Sequence, residues 1–322
     1  MKRILIVGSG SIVPHHIRAA QQVGFEVVGI ATREDTVRSQ SITSEFGIKR
    51  FPIGASLISD LQIDALTIAT SVESVFEVFS YYSKINIPIM VEKPFLTKAE
   101  HISLLKEINT INVIVGYNRR HYSSITRLRE LSRQSKVLGA RWLISEQPVS
   151  FDGSDQSVQT TLMTNSVHML DLIIFMFGRP TKTHLDWCKK DSKSLQCDLR
   201  MNFANYTSLN VTLTYGIPIQ SCIEVNMNGL HILLQPLELV RIFDTMDIQP
   251  PSDRSAIRTY KPRESNPWQV SELDVKYKPG FCGQYGELMN LTLGKPIFIS
   301  SGVEDSIETF KLANEILDLI LK

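Results

Sequence analysis

Arg3–Val7 (RILIV) is a short apolar run that stops at Gly8-Ser9-Gly10, and a helical pattern follows from Ser11 to Val23, closed by Gly24. A buried strand, a glycine turn and a helix in that order form the phosphate site of a dinucleotide-binding fold. Gly8 serves the tight turn, and Gly10 lets backbone N–H groups approach a pyrophosphate. Ser9, Ser11 and Ile12 complete the turn as cofactor-binding candidates. Val13 stands where the full fingerprint has a third glycine, so helix-to-sheet packing must be solved differently there. Pro14 is tolerated in a first helical turn, where an N–H has no intrahelical partner. The competing reading is an ordinary tight turn.

Glu26–Ile30 (EVVGI) reads as the second strand, and the residues after it meet the adenosine ribose in such a fold. A carboxylate there accepts hydrogen bonds from both ribose hydroxyls and favours NAD. The residues here are Ala31-Thr32-Arg33, a hydroxyl and a guanidinium suited to a 2′-phosphate, so NADP is the expected cofactor. Glu34 and Asp35, one step on, keep NAD open, and a solvated loop charge is the plain reading of Arg33. Helix and strand signals then alternate through strands at Ile48–Phe51, Asp64–Ala69, Ile87–Val91 and Asn112–Gly116. This is the βαβ rhythm of a doubly wound parallel sheet.

The run Ile87–Pro94 (IPIMVEKP) ends in an acid, a cation and a proline, which places Glu92 and Lys93 at the carboxyl end of the fifth strand. In open parallel sheets ligands bind at that edge. A lysine there can donate to a substrate oxygen, and desolvation lowers its pKa toward proton transfer. A surface Glu-Lys pair before a turn is the bland alternative. Thr70 and Ser71 close the fourth strand in the same way, as crevice hydroxyls or as loop caps. The Lys93–Pro94 bond is expected to be cis, an isomer that X-Pro bonds tolerate at tight strand ends.

The 322 residues exceed the usual reach of one hydrophobic core, so two domains are expected, 1–118 and 119–322. A charged fraction of 21% with net charge +1 argues against nucleic acid or a membrane surface as the main partner. The apolar run Leu172–Phe177 is too short to span a bilayer. Cys188, Cys197, Cys222 and Cys282 form no CxxC pair, so neither a metal site nor a disulfide framework is indicated, and a cytoplasmic setting fits. After Gly116 the pattern changes. Period-two alternation in Leu195–Phe203, Leu209–Tyr215 and Ile223–Met227 marks antiparallel strands with one buried and one polar face. Helices at Thr161–Phe177, Tyr285–Leu293 and Val303–Leu321 are expected over the apolar face of that sheet.

Four motifs stand in order: GSG after strand one, EKP after strand five, GYNRR after strand six, and Asn165-Ser-Val-His168-Met-Leu-Asp171 on a later helix. Together they resemble the glucose-fructose oxidoreductase, inositol dehydrogenase and MocA (Gfo/Idh/MocA) family. The resemblance implies an α/β protein: an N-terminal Rossmann doubly wound parallel sheet and a C-terminal α+β domain with a large, mostly antiparallel open sheet. It also implies hydride transfer between NAD(P) and a sugar, sugar acid or nucleotide-sugar hydroxyl or ketone. Lys93 and His168 match the catalytic pair. The open sheet implies a homodimer or homotetramer.

Two positions depart from the family pattern. Thr164 stands where an aspartate usually precedes the motif histidine by four residues, and Val75 is near where a histidine commonly follows the fourth strand. Thr164, His168, Asp171 and Phe175 fall at helical spacing on one face, which suits a cavity; a core histidine paired with Asp171 is the structural alternative. Asn118 and Arg119 or Arg120, just past strand six, with Thr164, Asn165 and Asp171, are the substrate-binding candidates. Two alternatives to the dehydrogenase are a non-catalytic NADP-binding sensor and a redox-assisted, NAD-dependent glycosidase.

Overall fold

The computed structural model describes residues 1–204, 207–265 and 268–322. In chain order the strands are β1 (Lys2–Val7), β2 (Phe25–Thr32), β3 (Lys49–Pro52), β4 (Ala65–Ile68), β5 (Ile89–Val91), β6 (Val113–Val115), β7 (Val137–Glu146), β8 (Lys182–Lys190), β9 (Leu195–Asn202), β10 (Ser208–Tyr215), β11 (Cys222–Met227), β12 (Leu230–Leu234), β13 (Val240–Gln249) and β14 (Thr259–Glu264). The helices are α1 (Val13–Gln22), α2 (Val37–Phe46), α3 (Ser56–Asp60), α4 (Val75–Tyr82), α5 (Ala99–Leu105), α6 (Ser123–Gln134), α7 (Asp155–Thr161), α8 (Val167–Phe177), α9 (Glu272–Lys276), α10 (Phe281–Thr292) and α11 (Val303–Leu321). The chain forms two compact units. One holds Met1–Tyr122, Leu170–Leu172 and Glu272–Ala313; the other holds Ser123–Met169, Ile173–Ser271 and Asn314–Lys322.

In the first unit six parallel strands run in the order β3-β2-β1-β4-β5-β6. The order reverses between β1 and β4, and the carboxyl ends there make the crevice of a doubly wound sheet. The central strands read as continuous apolar runs because both faces are covered: Ile4, Leu5, Ile6 and Val7 are fully buried. Helix α10 belongs to this core. Phe281, Cys282, Tyr285 and Leu288 pack with Ile4, Ile6, Val13 and Ile17, each such side chain worth about 1.5–3 kcal/mol when fully buried. The sequence expectation that a helix near Tyr285–Leu293 covers the second sheet is corrected here. An apolar stripe requires a partner surface but does not say which one.

In the second unit eight strands run in the order β14-β13-β12-β11-β7-β10-β9-β8, antiparallel except for the β10–β7 pair. Leu209, Val211 and Leu213 of β10 are buried, while Asn210 and Thr212 on the opposite face remain accessible. Register shifts in β8 and β13 mark bulges that bend the sheet at its two ends. The absence of a disulfide framework read from the sequence is also corrected: Cys188 and Cys197 sit directly opposite in the β8–β9 register and are joined. The link follows from strand pairing, which cysteine spacing alone does not show. The helical stretch Asp155–Phe177 is long and apolar enough to cross a membrane by length and composition, and half of its most apolar window is buried inside the protein. Core helices pass the same test.

Candidate active site

At the carboxyl ends of β1, β2 and β4 lies a cavity of about 640 Å3. Gly8, Ser9, Gly10, Ser11 and Ile12 form one wall, Thr32 and Arg33 a second, and Thr70 and Ser71 a third. These are nine of the residues expected at the cofactor. Gly8 has φ +127°, and a Cβ there would lie 2.3 Å from the Ala69 carbonyl oxygen at the end of β4. Only glycine fits between the two strand ends. Among the described residues the N–H groups of Ser9, Gly10, Ser11 and Ile12 meet no acceptor, and α1 carries no acidic residue in its first turn. The Thr70 hydroxyl is buried and has no partner among those residues. Bare N–H groups at a helix start and an orphaned hydroxyl fit a dinucleotide pyrophosphate.

The loop after β2 is held from β3. Arg50 Nε donates to the Thr32 hydroxyl at 2.8 Å, and that hydroxyl donates to the Glu34 carbonyl at 2.8 Å. Thr32 is therefore occupied in shaping the loop. Asp35 accepts from Ser39 and Gln40, which ties it to α2. Arg33 pairs with Glu77 of α4 at 3.0 Å, both well exposed. The cavity also takes in Thr36 and Arg38, which sequence reasoning missed. The available signal was the Thr36–Ser39 capping box, which fixes the start of α2 and places Arg38 in its first turn.

Beyond β5 the Lys93–Pro94 bond is cis. The Glu92 carboxylate lies 3.1 Å from His16 Nε2 and accepts the Lys93 backbone N–H at 3.3 Å. His16 Nδ1 is 3.0 Å from the Tyr285 hydroxyl, itself 3.0 Å from the Thr67 hydroxyl. His16, Tyr285 and Thr67 are fully buried, and burial pushes the Tyr285 pKa well above its ordinary value. His16 is thus a core residue.

Past β6, Asn118 donates to the Pro279 carbonyl at 2.9 Å. Arg120 grips Asp171 through two bonds of 2.8 and 2.6 Å and reaches Asp305 at 3.1 Å. Both members of the bidentate pair are buried. Burial pushes the Asp171 pKa up to about 6, against the pull of Arg120. Arg119 keeps one guanidinium nitrogen, Nη1, buried with no partner among the described residues. In the second unit Thr164 and His168 are half-buried. The Thr164 hydroxyl lies 2.7 Å from both the Thr160 carbonyl and Asn165 Oδ1, and its single proton serves one of them at a time. Leu162–Ser166 is a π-helical turn, so the stripe expected from α-helical spacing is interrupted. Its four members meet different surroundings: Asp171 meets Arg120, and Phe175 lies under the Arg129 guanidinium at 3.9 Å.

A glycine-turn cavity on a parallel sheet of this strand order defines a dinucleotide-binding Rossmann unit. Residues 2–137 match the family described as "Oxidoreductase family, NAD-binding Rossmann fold", GFO_IDH_MocA, the family that the sequence motifs resemble. It is 27% identical over 135 residues to inositol 2-dehydrogenase 3 of Saccharopolyspora erythraea, and the match spans 40% of each chain. The fold also matches UDP-N-acetylglucosamine 3-dehydrogenase from Acidithiobacillus ferrooxidans, with TM-score 0.74 and 14% identity over 99% of this chain and 97% of that one. An oxidoreductase from Agrobacterium radiobacter, solved with NAD+, L-tartaric acid and magnesium, matches with TM-score 0.70 and 17% identity over 97% and 94% of the two chains.

Proposed function

We propose that this protein is an NADP-dependent oxidoreductase acting on a hydroxyl or ketone of a sugar, sugar acid or nucleotide sugar. The cavity at the β1, β2 and β4 ends, with its bare N–H groups and orphaned Thr70 hydroxyl, carries the reading. The relatives named for inositol and a nucleotide sugar support the substrate class. A bound nicotinamide would exchange hydride with the substrate carbon. Lys93 polarises the reacting oxygen, and His168 takes or returns the proton. Asn165 and Arg119 hold neighbouring hydroxyls, the unpartnered Nη1 of Arg119 being a ready donor. Asn118 acts through the Pro279 carbonyl and Arg120 with Asp171 through their ion pair, shaping the site rather than touching the substrate. The polar face of the second sheet, with Asn210 and Thr212, joins two or four copies, which a monomeric mass by light scattering would refute.

The test is a panel of inositols, aldonates and UDP-sugars scored by absorbance of the reduced nicotinamide with NADP+ and NAD+. Turnover lost in Lys93→Ala and His168→Ala supports the assignment. Tight cofactor binding without turnover on any of them would favour the sensor instead, a reading that rests on the non-acidic Thr164 and its locally satisfied hydroxyl.

A further inference from the structure

We propose that Arg38, rather than Arg33, is the side chain that sets preference for a 2′-phosphorylated cofactor, with Glu77 holding Arg33 in reserve. This deepens the NADP reading above and rests on it. The ribose end of the cavity offers five polar side chains: Thr32, Arg33, Glu34, Thr36 and Arg38. Thr32 is buried, donates to the Glu34 carbonyl and accepts from Arg50, so its hydroxyl has little capacity left for a phosphate. The Thr36 hydroxyl caps the Ser39 N–H at 3.1 Å. Arg33 already faces a carboxylate, and a phosphate must compete with Glu77 for its guanidinium. Arg38 makes no ion pair or hydrogen bond among the described residues, and it stands on the first turn of a helix fixed by its capping box. A guanidinium with all its donors available is the stronger phosphate ligand, because nothing need be displaced.

Glu34 works against it. Glu34 lines the same cavity, and a carboxylate there suits the two free ribose hydroxyls of NAD while repelling a phosphate. The Arg33–Glu77 pair is 61% and 76% exposed, and such pairs are weak, so Arg33 contributes at reduced strength rather than not at all.

The experiment is fluorescence titration of NADPH and NADH into the parent protein, Arg38→Ala, Arg33→Ala and Glu77→Gln. All three positions are exposed, so folding is not at issue. The parent should prefer NADPH. Arg38→Ala should weaken NADPH by about tenfold or more, the value of one charge-assisted phosphate contact, and leave NADH nearly unchanged. Arg33→Ala should weaken NADPH by about threefold or less, and Glu77→Gln should tighten it by a similar factor. A parent preference for NADPH that survives Arg38→Ala, or an Arg33→Ala loss as large as that of Arg38→Ala, overturns this inference alone. Equal parent affinities, or a preference for NADH, overturn the NADP reading beneath it.

Discussion

Acidification should destabilise the first unit through His121. Its Nε2 lies 3.2 Å from the Ser300 hydroxyl, and its Cβ and ring press on the backbone of Gly283, where an added Cβ would come within 2.8 Å. Burial, the largest influence, pushes its pKa down to about 4; the Glu287 charge opposes this and Arg120 adds to it. Unfolded histidine titrates near 6.5, so between those values the unfolded chain holds a proton that the folded chain does not. The stability from this group is complete above pH 6.5 and is lost as pH falls toward 4. At about 1.4 kcal/mol per pH unit the window is worth about 3 kcal/mol, an upper value because Glu287 faces the ring. His15 and His101 are also lowered by burial, whereas Asp171, pushed up to about 6, gains a proton on folding below that pH and opposes the trend, so the difference between parent and variant is what reports His121. The assay is urea unfolding of parent and His121→Gln at pH 7, 6 and 5, followed by far-ultraviolet circular dichroism. Tryptophan fluorescence is unsuitable because Trp142, Trp187 and Trp268 all belong to the second unit. The parent midpoint should fall steeply between pH 7 and 5 and that of the variant only slightly. Parallel curves would refute the reasoning.

Gly8→Ala should abolish NADPH binding in a titration and lower stability by about 1–3 kcal/mol, since its Cβ meets the Ala69 carbonyl in a backbone conformation that side chains disfavour; binding at parent affinity would contradict the glycine-turn assignment. Tyr285→Phe should cost about 1–3 kcal/mol in chemical denaturation, because it leaves the buried Thr67 hydroxyl and His16 Nδ1 without their shared partner. An unchanged midpoint would show that the hydroxyl adds nothing there.

What the sequence made legible was what is local. The run RILIV-GSG and its helix predict β1, the turn and α1 because strand, turn and helix are consecutive. Period-two alternation in Leu195–Phe203 and Leu209–Tyr215 likewise predicts β9 and β10 with their buried faces. What escaped was long-range. Arg50 reaches Thr32 across 18 residues, Asp171 finds Arg120 across 51, and Tyr285 meets Thr67 across 218. No spacing rule connects such pairs, because their distances are set by how strands and helices stack rather than by helical or strand period. The chain after Glu272 shows the same limit: an apolar helix was evident, and its return to the first unit was not.

The Thr67–Tyr285–His16–Glu92 chain shows why a fully buried polar group there is tolerable. Glu92, when ionised, only accepts, so the imidazole nitrogen facing it must carry the proton. The other ring nitrogen then either accepts from Tyr285 or, on a doubly protonated ring, donates to it. A phenol can meet both demands, since it holds one donor and spare lone pairs, and the Thr67 hydroxyl can turn to complement either state. Burial keeps that phenol protonated by pushing its pKa far above neutrality. Tyr285, Thr67 and His16 Nδ1 are thus satisfied together, while His16 Nε2 lies 3.1 Å from the Glu92 carboxylate without a hydrogen bond among the described residues. Glu92 also accepts the Lys93 backbone N–H, which joins it to the strand end that carries Lys93. Phenylalanine at position 285 would fill the same space and leave the Thr67 hydroxyl and His16 Nδ1 without their shared partner.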